Sequence, residues 1–262
     1  ITLADLYAIA GDITRKYRNN GYVLTQALVP PQSIGEDGTA KIRIVEGFVD
    51  NIKVEGNNDN GLGLIRSYVE KLADKKPLNV RDLERALLLV NDLPGVSARS
   101  VLSPSPQTTG GADLRILVQR DFHQHTLSVD NYGSRFLGPV QFTGATNANS
   151  LLGNNERIGL QTVIAPDSDI ELAYIGANYN QPIGKHGTQL RARASYTETD
   201  PGFTLEQFDV EGESVYGEIG LMHPLIRRRE FNIDLRAQLD LRNVENTTNI
   251  PTLSEDDIRM AR

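Results

Sequence analysis

Between residues 231 and 241 the chain alternates without a break. Phe231, Ile233, Leu235, Ala237, Leu239 and Leu241 are apolar, while Asn232, Asp234, Arg236, Gln238 and Asp240 are polar or charged. Successive side chains of a strand point to opposite faces, so this run is a strand with one apolar and one polar side. A helix is excluded, because a period of 3.6 would scatter both sets around its axis. Eleven residues, tilted, is also the length with which a strand crosses a bilayer.

The same rhythm recurs from residue 121 on. Leu190, Ala192, Ala194 and Tyr196 alternate with Gln189, Arg191, Arg193 and Ser195. Val215, Gly217, Ile219 and Leu221 oppose Ser214, Tyr216 and Glu218, and Ile170, Leu172 and Tyr174 oppose Asp169 and Glu171. Weaker candidates lie at 125–132, 140–147 and 157–165, so about seven strands are expected. A soluble sandwich would also alternate. Two features favour a membrane barrel instead: charges gathered on one face of long strands, and connections that alternate in length. The turns at 151–155, 181–187 and 224–229 are short, whereas 198–213 and the stretch from Asn243 onward read as long outer loops. Seven strands leave open edges, which lipid does not tolerate, so the barrel is expected to be incomplete.

Composition agrees only after this step. The chain carries 27 Lys+Arg against 34 Asp+Glu, a net charge of −7. That balance argues against general nucleic-acid binding. No apolar run of about 18 residues occurs, which excludes a transmembrane helix but not a barrel. A mean hydropathy of −0.34 fits strands that show lipid only every second residue. With no cysteine, disulfides and thiolate chemistry are excluded. Ile1 follows no leader and Arg262 ends a polar stretch, so a processed or truncated piece is expected.

The first 120 residues mix helix and strand. Leu3, Leu6, Tyr7, Ala10, Ile13 and Tyr17 form a helical stripe, opened by Thr2 and Asp5 and stopped by Asn19-Asn20-Gly21. Strands are expected over 22–29 and 40–46, with Gly35-Glu36-Asp37-Gly38 as the turn between them. The pattern then restarts with a strand over 49–55. A helix follows on Leu64, Ile65, Tyr68, Val69 and Leu72. A second helix is capped by Asn79 and carries Val80, Leu83, Leu87 and Val90. Strands over 96–103 and 114–118 complete a β-α-α-β-β unit. The first copy lacks its opening strand and helix. The fold expected is thus α+β: tandem units followed by an antiparallel transmembrane β-barrel portion. The boundaries are 1–47 for the partial unit, 48–120 for the whole one and 121–262 for the barrel portion.

Gly21-Tyr22, Ala27-Leu28-Val29-Pro30-Pro31-Gln32, Asp37-Gly38, Ile42, Ile44, Glu46-Gly47, Ile52, Val54 and Gly56 closely resemble a polypeptide-transport-associated (POTRA) domain of two-partner secretion transporters, the TpsB proteins. Leu83 to Val96, with Asn91-Asp92-Leu93-Pro94-Gly95 at its end, and Gly111-Ala112-Asp113-Leu114 resemble the second POTRA domain of that family. The resemblance implies a bacterial outer-membrane transporter with periplasmic N-terminal domains. It is no enzyme, needs no cofactor and acts as a monomer. Its partner is an unfolded TpsA-type exoprotein of the haemolysin or adhesin kind. The family's sixteen-stranded barrel, its plug helix and the Val-Arg-Gly-Tyr motif of its inward loop are not all found here; no such motif occurs in this sequence.

Chemical sites are scarce. His123 and His125 could share a strand face, but no third ligand accompanies them, so a linker or lumen-facing pair is expected rather than a metal site. His186 and His223 fall near inner turns without a partner motif. Gly61 and Gly63 open no dinucleotide motif, and no P-loop or Gly-x-Ser-x-Gly elbow is present. Arg227-Arg228-Arg229 is expected to meet headgroups or acids of the N-terminal units. Asn246-Thr247-Thr248 reads as a polar outer loop. By the resemblance, the second strand of each unit is an open edge that an extended chain can join. These edges are 22–28 and Val96, Ser97, Ala98, Arg99, Ser100 and Val101 onward to Ser103, with Leu83, Leu87 and Val90 as a groove or as packed core. Arg191 and Arg193, with Glu218, Asp234 and Arg236, are expected to line the pore. A barrel-assembly insertase of the same superfamily and a soluble periplasmic POTRA adaptor are the alternatives.

Overall fold

The computed structural model describes residues 2–33, 38–57, 61–167, 169–249 and the backbone of 254–261. They form two compact units. The first comprises Ile1–Asp92, Val96–Arg120 and Arg227–Phe231; the second comprises Leu93–Gly95, Asp121–Ile226 and Asn232–Arg262.

In the first unit α1 (Leu3–Asn19) begins at a true capping box. The Thr2 hydroxyl accepts the Asp5 N–H at 3.2 Å, and the Asp5 carboxylate accepts the Thr2 N–H at 2.7 Å. The helix stops where Gly21 adopts φ +92°, a backbone shape that suits glycine. Of the expected stripe, Leu6 and Ala10 are buried, while Leu3 and Tyr7 are exposed. The next strands are shorter than the sequence suggests: β1 (Gln26–Leu28) pairs antiparallel with β2 (Arg43–Val45). Residues 22–25 are not strand, because the Thr25 N–H turns back to the Tyr22 carbonyl at 3.2 Å. Gly35, Glu36 and Asp37 of the expected turn lie outside the described residues.

The complete repeat follows as β3 (Phe48–Gly56), α2 (Leu62–Val69), α3 (Val80–Asn91), β4 (Val96–Pro104) and β5 (Gly111–Arg120). The sheet order is β3-β5-β4, with β3 parallel and β4 antiparallel to the central strand. Ala112, Leu114, Ile116 and Val118 line one face of β5. Leu62, Ile65, Val69, Leu83, Ala86, Leu89 and Val90 from the helices complete the same core. The buried stripe of α3 is rotated from the expected one: Ala86 and Leu89 are inside, while Val80 is exposed and Leu87 half-buried. Asn79 caps α3, its side chain accepting the Arg81 N–H at 3.0 Å. Tyr68 is buried with no hydrogen-bond partner for its hydroxyl among the described residues. Burial, and then the nearby Asp92 carboxylate, push its pKa up to about 12. Within this unit Arg227 grips Asp92 with two bonds of 2.7 Å, and Arg229 reaches Glu84 at 3.0 Å. The basic run therefore meets acids, as its composition suggested.

The second unit is a meander of eight strands. They are β6 (His123–Asp130), β7 (Gln141–Asn149), β8 (Arg157–Pro166), β9 (Ile170–Ile183), β10 (Thr188–Thr199), β11 (Glu211–Arg227), β12 (Asn232–Thr247) and β13 (Ser254–Ala261). They pair in sequence order, with β6 and β13 at the two ends. The strands outrun their alternating stretches because ladder hydrogen bonds continue where side-chain contrast fades. For the same reason β12 runs on to Thr247 and β13 follows it, where the sequence suggested a long loop from Asn243. Asn246 and Thr247 are accordingly strand residues.

Candidate functional site

Strand pairing gathers the charges on one side of the sheet. Arg193 stands opposite Glu218 on β11 and Asn178 on β9. Residues directly opposite share a face, so Arg191, Arg193 and Glu218 belong to one polar surface. Tyr216 ties β11 to β12 on it, its hydroxyl lying 2.8 Å from Glu218 and 3.1 Å from Asp240. Gln238 donates to both oxygens of the same Asp240, and Arg236 pairs with Asp234 at 3.7 Å. Arg191 donates to Gln189 at 3.1 Å. All five nominated pore residues thus sit in this surface, although Glu218 accepts from Tyr216 rather than forming the ion pair with Arg193 that their alignment invites. Tyr216, Gln238 and Asp240 were not nominated, yet their parity with Glu218 and Asp234 was legible. On the opposite face Leu190, Ile219, Leu221, Ala237 and Leu239 form a continuous apolar area. Among the described residues no helix is long and apolar enough to cross a membrane.

His123 and His125 fall on that apolar side rather than in the lumen. Leu127 and Val129 continue their row, opposite Gly144 and Phe142. Their rings stack at 6.3 Å, and His125 Nδ1 lies 2.9 Å from the Thr146 hydroxyl. Among the described residues no cluster of three ligand-type side chains accompanies them. The lumen assignment failed because the start of the strand, and hence its parity, is set by pairing with β7.

The second surface of interest is the β4 edge. Val96 is buried and Ser97 and Arg99 are exposed, while Ala98, Ser100 and Val101 are half-buried. Leu83 is packed in the core at 7% exposure, which leaves Leu87 as the partly open residue of the nominated pair. The resemblance motifs mostly hold the backbone in shape. Gly21 accepts the Val80 N–H at 2.8 Å, and Tyr22 meets Tyr17 edge-to-face at 6.0 Å. Gln32, just after Pro30 and Pro31, clamps Lys41 through both its backbone N–H (2.7 Å) and its carbonyl (2.8 Å). Gly47 accepts the Leu78 N–H at 2.8 Å, and a Cβ there would lie 2.6 Å from the Leu24 carbonyl oxygen. The side chain of the neighbouring Glu46 is exposed. Asp92 holds Arg227 as described, Pro94 is buried after α3, and Gly95 turns at φ +65° with its carbonyl on the Asp121 N–H at 2.8 Å.

A tandem α/β unit ahead of a meander that is charged on one side and apolar on the other defines an outer-membrane barrel protein of the POTRA class. The chain belongs to the family of haemolysin secretion/activation proteins ShlB/FhaC/HecB, whose profile matches residues 110–256, more than half of its length. The ShlB-type POTRA domain profile matches residues 1–47. Among curated proteins it is similar to the heme/hemopexin transporter protein HuxB of Haemophilus influenzae (strain 86-028NP). The two are 27% identical over 262 residues, covering 97% of this chain and 45% of HuxB. In fold it resembles CdiB from Escherichia coli, with a TM-score of 0.76 and 19% identity over 100% of this chain and 48% of that one. It also resembles BamA from Haemophilus ducreyi lacking POTRA domains 1–3, with a TM-score of 0.58 and 16% identity over 100% and 52%. The chain spans about half the length of the curated relatives it matches. The family is one of outer-membrane transporters with periplasmic POTRA domains, not of enzymes.

Proposed function

We propose that this chain serves an outer-membrane transporter that captures an unfolded TpsA-type exoprotein on its periplasmic units and passes it through a barrel pore. Residues 1–47 and 48–120 act as two POTRA modules and 121–262 as barrel wall in contact with outer-membrane lipid, in a monomeric transporter. The observation that carries this reading is the family match across the segment whose strands are charged on one face and apolar on the other. Capture uses the β4 edge, where an extended chain adds by main-chain hydrogen bonds and its sequence matters little. That suits a long exoprotein that passes residue by residue. Leu87 offers it apolar contact beside the edge. Arg191, Arg193, Glu218, Asp234 and Arg236 line the pore, where mixed charge hydrates a passing chain without gripping it. The likeness to BamA is one of fold alone and adds no insertase activity.

The test is Ser100→Pro in the intact protein, titrated with the secretion domain of the partner exoprotein. Proline removes an N–H that an added strand needs, and edge strands tolerate it. Binding is expected to fall about tenfold, with the thermal transition of the domain unchanged. Unchanged binding would refute edge capture.

A further inference from the structure

The β4 edge is not open along its whole length. The Gly95 carbonyl accepts from Asp121 at 2.8 Å and the Ser105 N–H donates to Gly111 at 2.9 Å. Together with the register Val96↔Arg120 to Pro104↔Ala112, these bonds put the odd-numbered residues of β4 in hydrogen-bonded pairs with β5. The even-numbered residues therefore direct their N–H and C=O away from the sheet. At Ala98 both groups are already taken. Its N–H donates to Asn91 Oδ1 at 2.8 Å, and its carbonyl accepts from Asn91 Nδ2 at 3.1 Å. A carboxamide is chemically a peptide group, so Asn91 reproduces one rung of a neighbouring strand. A further bond from Nδ2 to the Leu87 carbonyl at 2.8 Å anchors it to α3. Beyond it, Ser100 and Leu102 present outward N–H and C=O groups with no partner among the described residues, and Pro104 has no N–H to offer. The edge of the first module is closed in a related way. The one N–H of β1 that turns from β2, that of Ala27, donates to the Thr14 hydroxyl at 3.0 Å, and Thr14 in turn donates to Ala10 at 2.9 Å.

We infer that Asn91 is a register stop: it fills the β4 edge at Ala98, so that an incoming extended polypeptide pairs only at Ser100 and Leu102. This deepens the edge-capture reading and rests on it. The docked segment is short, about five residues or 17 Å at strand spacing. A short, fixed docking segment holds a translocating chain in one frame while letting it go again. Thr14 leaves β1 without such a station, which makes β4 the working edge of the two nominated.

These 262 residues hold no cysteine, and any cysteine outside them is replaced by serine, so the introduced thiols are the ones that react. Ala98→Cys, Ser100→Cys and Leu102→Cys are made singly in the intact protein, each with Asn91 and with Asn91→Ala. The probe is a synthetic peptide of alternating threonine and valine with one central cysteine, and disulfide yield is read. The expected result is cross-linking at 100 and 102 but not 98, with yield at 98 rising about tenfold once Asn91 is replaced. Cross-linking at 100 and 102 with no change at 98 in Asn91→Ala overturns the register stop and leaves edge capture standing. No cross-linking at any position overturns edge capture itself. Hydrogen exchange over 96–104 checks the variant: Ala98 alone should exchange faster. If Asn91→Ala does not fold, Asn91→Leu takes its place, since its side chain of similar size can neither accept from the Ala98 N–H nor donate to the Ala98 carbonyl. The same rise at 98 is then required.

Discussion

Replacing Leu239 by arginine puts the two-faced sheet to its most direct test. Leu239 lies near the middle of β12 and is 57% exposed. Its neighbours on that face are Leu190, Ile219, Leu221 and Ala237, none of which can pair with a cation. If this face meets lipid, an arginine there sits close to the bilayer midplane and costs about 2–4 kcal/mol. That is a loss of about 30- to 1,000-fold in the folding equilibrium. Gln238→Arg is the matched control one residue away. Its side chain points to the other surface, where Gln238 already donates to both oxygens of Asp240. A guanidinium can replace both bonds and should cost less than about 0.5 kcal/mol. The intact protein is refolded into lipid vesicles, and urea midpoints are followed by heat-modifiable migration on gels. Equal losses for the two variants would refute the assignment of faces and favour a water-exposed sheet.

Two further outcomes follow from the α/β unit. Gly47→Ala should destabilise it by about 1–3 kcal/mol in urea titration, because the new Cβ meets the Leu24 carbonyl carbon at 2.7 Å and its oxygen at 2.6 Å. Tyr68 should make the unit alkali-sensitive: with its folded pKa raised from 10.0 to about 12, the unfolded chain loses its proton first. Its contribution is whole below pH 10 and falls by about 2–3 kcal/mol as pH rises toward 12. Tyr68→Phe should flatten that decline between urea titrations at pH 9 and pH 11, while raising stability at neutral pH by about 1 kcal/mol through loss of an unpaired buried hydroxyl.

The legible part of this protein was its periodicity. Phe231 to Leu241 declares a strand with two unlike faces, because a side-chain period of two is local geometry that no tertiary contact alters. The caps at Thr2 and Asn79 were legible for the same reason: each acts within three residues of itself. The stripe of α3 was read correctly at Leu83 and Val90 but missed Ala86, which looks neutral in sequence and which only packing shows against the sheet. The His123–His125 pair was misplaced because a strand's parity is absolute only once its partner is known.

The sequence by itself determined a tandem α/β segment, a meander of amphipathic strands and a family, since all three live in spacing and in contiguous motifs. The tertiary structure alone decided which outward backbone groups of β4 are already paired. Whether Ala98 or Ser100 is open depends on which backbone groups face β5 and on a side chain seven residues upstream that closes one of them. Backbone hydrogen-bond direction leaves no trace in residue identity, so the strand can be foreseen from sequence while its open positions must be seen in the fold.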